Sequence, residues 1–561
     1  MSFQARARRR RARRRIALGA LLAATAAAVA IVVAGSGGPD VHRVVTEYVR
    51  AWTLDDYGRM YSLLDGRSRA EISETQFAAR YRRAAAIATL RALRPLRQLA
   101  ERGGVVPVRM LVRTIAFGTF RQVLRVPVDT SGAAPAIAFS GELLFPGLRD
   151  GESLSRQVSL APRATIFARD GTPLAEGPDR VSPIPDVAAG IVGRLGPIPA
   201  GEAQQYAAMG YPAGARVGLD GLEHVFQAQL AGTPGGVLRA GSRVLASAPP
   251  RPGQPVTTTI DPSVERAAIA ALGGRFGGIA AMDPRTGGLL ALVGLAFSVL
   301  QPPGSTMKIV TATAALQAGI VRLGDTFPVA SAATIDGYTL HNANNEACGG
   351  TLINAFAVSC NSVFAPLGAR LGARRLVATA ERFGFNQPMP IPGAAESEIP
   401  SAATIGDALA VGSSAIGQGR VEASALEMTD VAATIAMGGR RPIPTLQAGQ
   451  EPRFVTVTTP AVARQVQRMM VAVIRYGTGT AAAIPGVEVA GKTGTAELRD
   501  TVNPNNPQAS SPRNTDAWFV AYAPVGAPRI VAGALFPNQG FGGDTAAPAI
   551  RAVLLAGLQA R

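Results

Sequence analysis

Lysine is almost absent from this chain: of its 56 Lys+Arg residues among 561, only Lys308 and Lys492 are lysine, and every other one is arginine. Arginine is effectively never deprotonated, whereas a lysine that is buried or set beside another cation can lose its proton. A lysine kept in so arginine-rich a chain therefore points to proton transfer. Histidine is equally sparse, and His42, His224 and His341 are too scattered for a metal cluster, so no metal site and no cofactor are expected. Outside the N-terminus no basic run interleaves with aromatics, which leaves a nucleic-acid groove without support. No internal repeat is evident. Only two cysteines occur, Cys348 and Cys360, with a Gly349-Gly350 turn between them. In an oxidising compartment a bridge is geometrically plausible, with two buried free thiols as the alternative.

What the chain does have is length, apolar content and positive charge. At 561 residues it is long enough for three or four units, and 47% hydrophobic residues can fill sizeable cores. The net charge is +18, but eight arginines (Arg6, Arg8 to Arg11, Arg13 to Arg15) crowd the first fifteen residues. Directly after them, residues 16–35 are uncharged and apolar, about the ~20 residues that a bilayer-spanning helix needs. Basic residues before such a span stay cytoplasmic, which would put the C-terminal bulk outside. A retained signal-anchor is the expectation, and a cleaved signal peptide the alternative.

The texture then changes along the chain. Residues 39–104 read as helical, with apolar spacing of three and four, including a second stretch over 75–93 that ends before Pro95. Residues 105–130 alternate and are rich in Val, Thr and Phe, and strand-like runs continue to 160. Residues 161–254 are Gly- and Pro-rich, as befits a loop-rich platform. Beyond 255 a compact α/β pattern begins: a strand at 256–261, a helix at 262–272 opened by Asp261-Pro262-Ser263, and a strand pair within 278–293.

The chemistry lies past that point. Residues 305–320 predict a helix with Ser305 and Lys308 on one face, an amine one turn from a hydroxyl. A neutral lysine can deprotonate serine if burial and a neighbouring cation lower its pKa, and Lys492 is the expected neighbour. Ser359-Cys360-Asn361 follows a predicted helix at 352–359. Its serine hydroxyl can relay a proton, and Asn361 can steady the lysine and hold a substrate amide. Lys492-Thr493-Gly494-Thr495 follows a strand-like run at 487–491. On an edge strand it would pair with an extended peptide, Thr493 and Thr495 would contact that peptide's carboxylate, and Gly494 would allow close approach. The backbone N–H groups of Ser305 and Thr495 are the expected oxyanion hole. Lys492 is expected to stay charged and to tolerate arginine better than Lys308.

Ser-x-x-Lys, Ser-x-Asn and Lys-Thr-Gly, in this order, resemble the active-serine set of penicillin-binding proteins and serine β-lactamases. Pro302-Pro303-Gly304, Gly417-Gln418-Gly419 and Asp516-Ala517-Trp518-Phe519 flank them as in that family. Residues 169–175 (RDGTPLA) and 218–223 (GLDGLE) resemble the pedestal of class B members, although the usual Arg-Gly opening the first signature is Arg163-Ala164 here. Trp52, Asp56, Tyr57 and Tyr61 resemble an NTF2-like domain found before some transpeptidases. The resemblance implies a multidomain α+β chain: a cytoplasmic tail (1–15), a transmembrane helix (16–35), a small NTF2-like domain (39–160), and a pedestal or dimerisation-type domain (161–254). The last domain (255–561) would be a serine β-lactamase-like transpeptidase fold on a central antiparallel sheet. It further implies a membrane-anchored D,D-transpeptidase that cross-links peptidoglycan stem peptides ending in D-Ala-D-Ala, is acylated by β-lactams, and works with a polytopic glycosyltransferase. A D,D-carboxypeptidase and a non-catalytic β-lactam sensor are the alternatives. A β-lactamase is disfavoured because no Glu-x-x-x-Asn pattern lies suitably between Ser-x-Asn and Lys-Thr-Gly. Two departures from the family pattern stand out: only a short stretch, 288–301, precedes the Pro-Pro-Gly, and an Asn-, Pro- and Ser-rich insertion occupies 498–515.

Overall fold

The computed structural model describes residues 40–497 and 515–560. The apolar segment 16–35 and nearly all of the 498–515 insertion lie outside them. Among the described residues no helix is long and apolar enough to cross a membrane. The chain divides into two compact units: residues up to 160 with 198–215 and 233–251, and residues 161–197 with 216–232 and 252 onward.

In the first unit, α1 (Val41–Thr53) starts at Asp40, whose side chain accepts a hydrogen bond from the N–H of Arg43. Val45, Tyr48, Val49 and Trp52 recur at helical spacing and enter the core. Two short helices, α2 (Tyr57–Ser62) and α3 (Gly66–Glu71), lead to α4 (Glu74–Ile87), which is opened by a capping box between Ser73 and Gln76. An antiparallel sheet follows in the order β1 (Leu90–Gln98), β2 (Val105–Thr114), β3 (Thr119–Asp129), β4 (Ala136–Ile137). Val106, Val108, Met110 and Val112 of β2 point inward, and Arg109 and Arg113 point to solvent. A smaller antiparallel sheet joins β5 (Leu154–Ser159), β6 (Gly235–Ala240) and β7 (Arg243–Ala248).

Two expectations change here. The helix foreseen over 75–93 stops at Ile87, and Leu90 onward is strand, with Pro95 inside β1. Proline cannot donate to a ladder, and it is tolerated because β1 is an edge strand whose register slips between Pro95 and Arg97. The segment 161–254, expected as one domain, is shared between the units. Its apolar residues divide with it: Leu238, Ala240 and Leu245 join the first core, while Ile166, Leu174, Val187, Leu222 and Leu230 join the second. Within the second unit, Glu223 of the GLDGLE signature is buried between Arg163 (2.5 Å) and Arg180 (2.6 Å), which ties that signature to the segment around 163.

The second unit is built on a five-stranded antiparallel sheet. Its parts in chain order are α5 (Pro262–Leu272), β8 (Gly278–Asp283), β9 (Gly288–Gly294), α6 (Lys308–Gln317), α7 (Leu352–Ala357), α8 (Asn361–Leu371), α9 (Ala425–Ala436), β10 (Ala490–Glu497), β11 (Thr515–Ala523), β12 (Ile530–Phe536) and α10 (Ala547–Gln559). Strand order is β9-β8-β12-β11-β10, so β10 is an edge. The predicted helix 262–272 is α5, capped by Asp261. Both faces of the sheet are covered, so β11 from Ala517 onward and all of β12 read as apolar runs. Phe519, Ala521, Ala532 and Ala534 pack with α5 and α10, and Trp518, Val520, Tyr522 and Val531 pack on the opposite face with α9.

Candidate active site

Pro303 and Gly304 deliver Ser305 into a 3-10 turn, Gly304–Met307, and the α-helix proper begins only at Lys308. The single helix expected from 305 is thus two segments. At three residues per turn, positions i and i+3 eclipse, so Ser305 stacks in register with Lys308. Ser305 is half-buried and Lys308 fully buried. The turn is gripped from both sides. Gly304 N–H donates to the Gly417 carbonyl (2.9 Å), and a Cβ on Gly417 would lie 2.0 Å from the Gly304 carbonyl oxygen. On the other side, a Cβ on Gly494 would come within 2.7 Å of the Pro303 oxygen, and one on Gly304 within 2.7 Å of the Thr495 oxygen. Glycine at these points lets the nucleophile turn touch β10 directly.

The second element sits between α7 and α8. Ser359 adopts φ 65, a left-handed conformation that costs a non-glycine residue about 1 kcal/mol or more. That conformation turns both its carbonyl and its hydroxyl toward the lysines. Lys308 Nζ donates to the Ser359 carbonyl (2.7 Å) and to Asn361 Oδ1 (2.8 Å), with Ser359 Oγ at 3.3 Å. Asn361 Nδ2 donates to the His341 carbonyl (3.0 Å), which fixes the amide with its oxygen toward Lys308. A neutral amine has two N–H groups, and two fixed carbonyl acceptors use both. Its lone pair is then free for a hydroxyl proton. A disulfide joins Cys348 and Cys360, their Cα atoms 5.8 Å apart, and ties the Ser359 turn to the strand Cys348–Thr351.

Lys492 reaches the same serine from the sheet. It lies on β10, fully buried, and its Nζ donates to Ser359 Oγ (2.9 Å) and to the Thr493 carbonyl (3.0 Å). Ser359 Oγ therefore bridges the two amines. Each amine also faces a ring, Lys308 that of Phe364 (5.7 Å) and Lys492 that of Phe356 (5.5 Å), and those rings meet edge to face. Among the described residues neither lysine has a carboxylate partner in an ion pair. Burial, and then the charge of Lys492, hold the Lys308 pKa well below 10.5, and burial lowers that of Lys492 to about 7. Lys492 was expected to stay charged, but in this apolar slot it titrates near neutrality. A guanidinium there would keep its charge in the same buried slot, whereas the sequence pointed to a milder effect of arginine.

The sequence reading missed Thr478. Thr478 Oγ1 and Thr493 Oγ1 are 2.5 Å apart, and Thr478 N–H donates to the Ala357 carbonyl (3.1 Å), so the 476–480 loop joins α7 to β10. Its Gly-Thr-Gly-Thr spelling was the available signal. Thr495 Oγ1 accepts from Gly542 N–H (3.5 Å). Asp516-Ala517-Trp518-Phe519 lies at the start of β11, which is hydrogen-bonded to β10. Also unforeseen, away from this site, are two fully buried acids on α9, Glu427 and Asp430, beside Arg441 in a cavity of about 460 Å³. Burial raises the Glu427 pKa to about 7 and that of Asp430 well above its usual value.

Residues 277–555 match the family model for the penicillin binding protein transpeptidase domain, and residues 171–257 that for the penicillin-binding protein dimerisation domain. The chain is 33% identical over 376 residues to the peptidoglycan D,D-transpeptidase PbpA of Mycobacterium tuberculosis, covering 55% of this chain and 73% of that protein. The fold resembles the crystal structure of PBPA from the same organism (TM-score 0.57, 28% identity, 71% of this chain and 99% of that one). An imipenem acyl-enzyme complex of that protein matches equally well (TM-score 0.57, 27% identity, 71% and 99%). PBP2 of Pseudomonas aeruginosa aligns with a TM-score of 0.61 at 27% identity, over 71% of this chain and 96% of that one.

Proposed function

Because this chain belongs to the penicillin-binding protein transpeptidase family, we propose that it is a peptidoglycan D,D-transpeptidase, acylated by β-lactams at Ser305. The observation that carries the assignment is the bridging of Lys308 and Lys492 by one serine hydroxyl, with no acid beside them. Neutral Lys308 takes the proton of Ser305, whose Oγ attacks the carbonyl between the two terminal D-alanines. The oxyanion is held by the N–H groups of Ser305 and Thr495, which the contact of the Gly304 turn with β10 supports. As the amide breaks, Ser359 passes a proton from the amine pair to the departing D-alanine. The acyl-enzyme is then taken by an amine of a neighbouring stem peptide, which forms the cross-link. The edge position of β10 suits main-chain pairing with the donor peptide, and Thr493 and Thr495 suit its carboxylate.

The remaining parts of the reading are supported by sequence and topology. Residues 16–35 anchor the chain with its bulk outside the cell, supported by the eight arginines that precede them. Residues 39–160 form an NTF2-like domain, supported by the order of four helices then four strands from α1 to β4 and by the placement of Trp52 and Tyr61 around α4. Partnership with a polytopic glycosyltransferase follows family habit. Fluorescent penicillin tests the site: Ser305→Ala loses covalent labelling, and persistent labelling contradicts the assignment. A labelled stem peptide with a D-amino-acid acceptor tests the reaction. Exchange of the acceptor into the product is expected, whereas release of D-alanine without exchange would make the enzyme a carboxypeptidase.

A further inference from the structure

The sheet of the first unit turns one face away from its core. Pairing sets Arg97 opposite Arg109, Arg94 and Arg121 on either side of Leu111, Arg113 opposite Ala92 and Thr119, and Arg125 opposite Pro107. Directly opposite residues of an antiparallel pair share a face. Arg94, Arg97, Arg109, Arg113, Arg121 and Arg125 thus form a single exposed face, with Val123 (38% exposed) among them. The one acid in the three strands, Asp129, stands at the far end of β3 and accepts from Ser131 N–H (2.8 Å). Among the described residues none of the six guanidinium groups makes an ion pair or a side-chain hydrogen bond.

Such a face destabilises its own sheet. Like charges directly opposite repel, as Arg97 and Arg109 do here, and a surface kept only for solubility would interleave signs. The pattern needs an external anion, and guanidinium groups fit phosphate bidentately. Geometry indicates which phosphate. The first turn of α1 is pinned to the end of β1: Gln98 Nε2 donates to the His42 carbonyl (3.2 Å) and to Thr46 Oγ1 (2.8 Å), and Gln98 Oε1 contacts His42 Nδ1 (2.7 Å). The chain therefore enters this unit at the Arg97 end of β1, on the core side of that edge strand, one strand edge away from the arginine face. Only residues 36–39 separate that point from the apolar segment 16–35, a reach of about 18 Å when fully extended. That reach passes round the edge strand to the arginine face, and a soluble anionic polymer would not need the face to lie within reach of the tether.

We propose that the arginine face of β1–β3 docks on the phosphate-rich surface of an anionic membrane, the one in which residues 16–35 are anchored; the proposal rests on that anchoring. The full chain in lipid nanodiscs tests it. Both native cysteines are bonded to each other, so a thiol introduced by Val123→Cys takes a fluorophore alone. Nitroxide on the lipid headgroups is expected to quench that fluorophore strongly in discs with about 30% phosphatidylglycerol. Quenching should drop about threefold in phosphatidylcholine discs and again at about 0.5 M salt. It should be lost in an Arg97→Gln, Arg109→Gln, Arg121→Gln variant and kept in the matching lysine variant, both of which should still be labelled by penicillin. Quenching indifferent to lipid charge, salt and these substitutions would overturn the proposal. So would displacement of the face by a soluble polyphosphate glycopolymer in phosphatidylglycerol discs. A chain washed from the discs by alkali overturns the anchoring and the proposal together, whereas a retained chain with no charge-dependent quenching overturns the docking alone.

Discussion

Two cationic regions of this molecule are built from different residues. The sheet face of the first unit carries six exposed arginines, and the site of the second unit carries two lysines with no exposed surface. Several buried or half-buried arginines of the second unit have acids beside them, as Arg163 and Arg180 do with Glu223 and Arg441 does with Glu427 and Asp430. Among the described residues the two lysines are the only fully buried cations, and they sit among carbonyls, a hydroxyl and aromatic rings. The contrast teaches what the rare residue is for: arginine serves wherever the charge is permanent, and lysine stands where the charge must be surrendered.

The largest effect that would break this contrast is at Lys308. Lys308→Arg should slow acylation by penicillin about 10³-fold, close to Lys308→Ala, since the guanidinium keeps the charge but cannot act as base. Near-normal acylation by the arginine variant contradicts the role. Next comes Lys492→Arg, expected to lose about 10²-fold in acylation and to lower Tm, because a guanidinium cannot give up its charge when buried and does not reproduce the point contacts of the amine with Ser359 Oγ and the Thr493 carbonyl. Acylation close to wild type would instead restore the milder expectation drawn from sequence.

The cluster at Arg441 sharpens the comparison from the other side. Glu427 has its pKa raised to about 7 in the fold, so it favours the protonated form. Its stabilising contribution is full below about 4.5 and is lost as pH rises through 7. Glu427→Gln should therefore raise the Tm of the transpeptidase unit by roughly 2–4 °C at pH 8 and much less at pH 5, read by calorimetry. An equal effect at both pH values contradicts a buried, reluctant carboxylate. The smallest effect belongs to the exposed face: Arg97→Lys with Arg109→Lys should change stability by less than about 0.5 kcal/mol and leave penicillin labelling intact.

Legibility in the sequence followed the same division between local and long-range causes. Helix α5 was readable from Asp261-Pro262-Ser263, and the β8–β9 pair from its turn, because caps and turns act within a few residues. The three motif blocks were readable because their chemistry demands particular side chains, and the fold brings all three to Ser359. Strand β1 was not readable. Its Leu, Ala and Arg suit a helix, and only pairing with β2 makes it strand. The division of 161–254 between two cores depends on partners far away in sequence, and so does the burial of Lys492. The left-handed backbone of Ser359 carries no local signal at all, since serine is no glycine substitute; the geometry of the amine pair imposes it.

With two lysines in the chain, the central claim can be read directly. Protein carrying ¹³C at lysine Cε gives two signals, assigned through Lys492→Ala, and each can be followed as pH is raised. The account predicts that the Lys492 signal titrates near pH 7 and that the Lys308 signal also titrates well below 10.5. A Lys308 that remains protonated up to about pH 10 would contradict it.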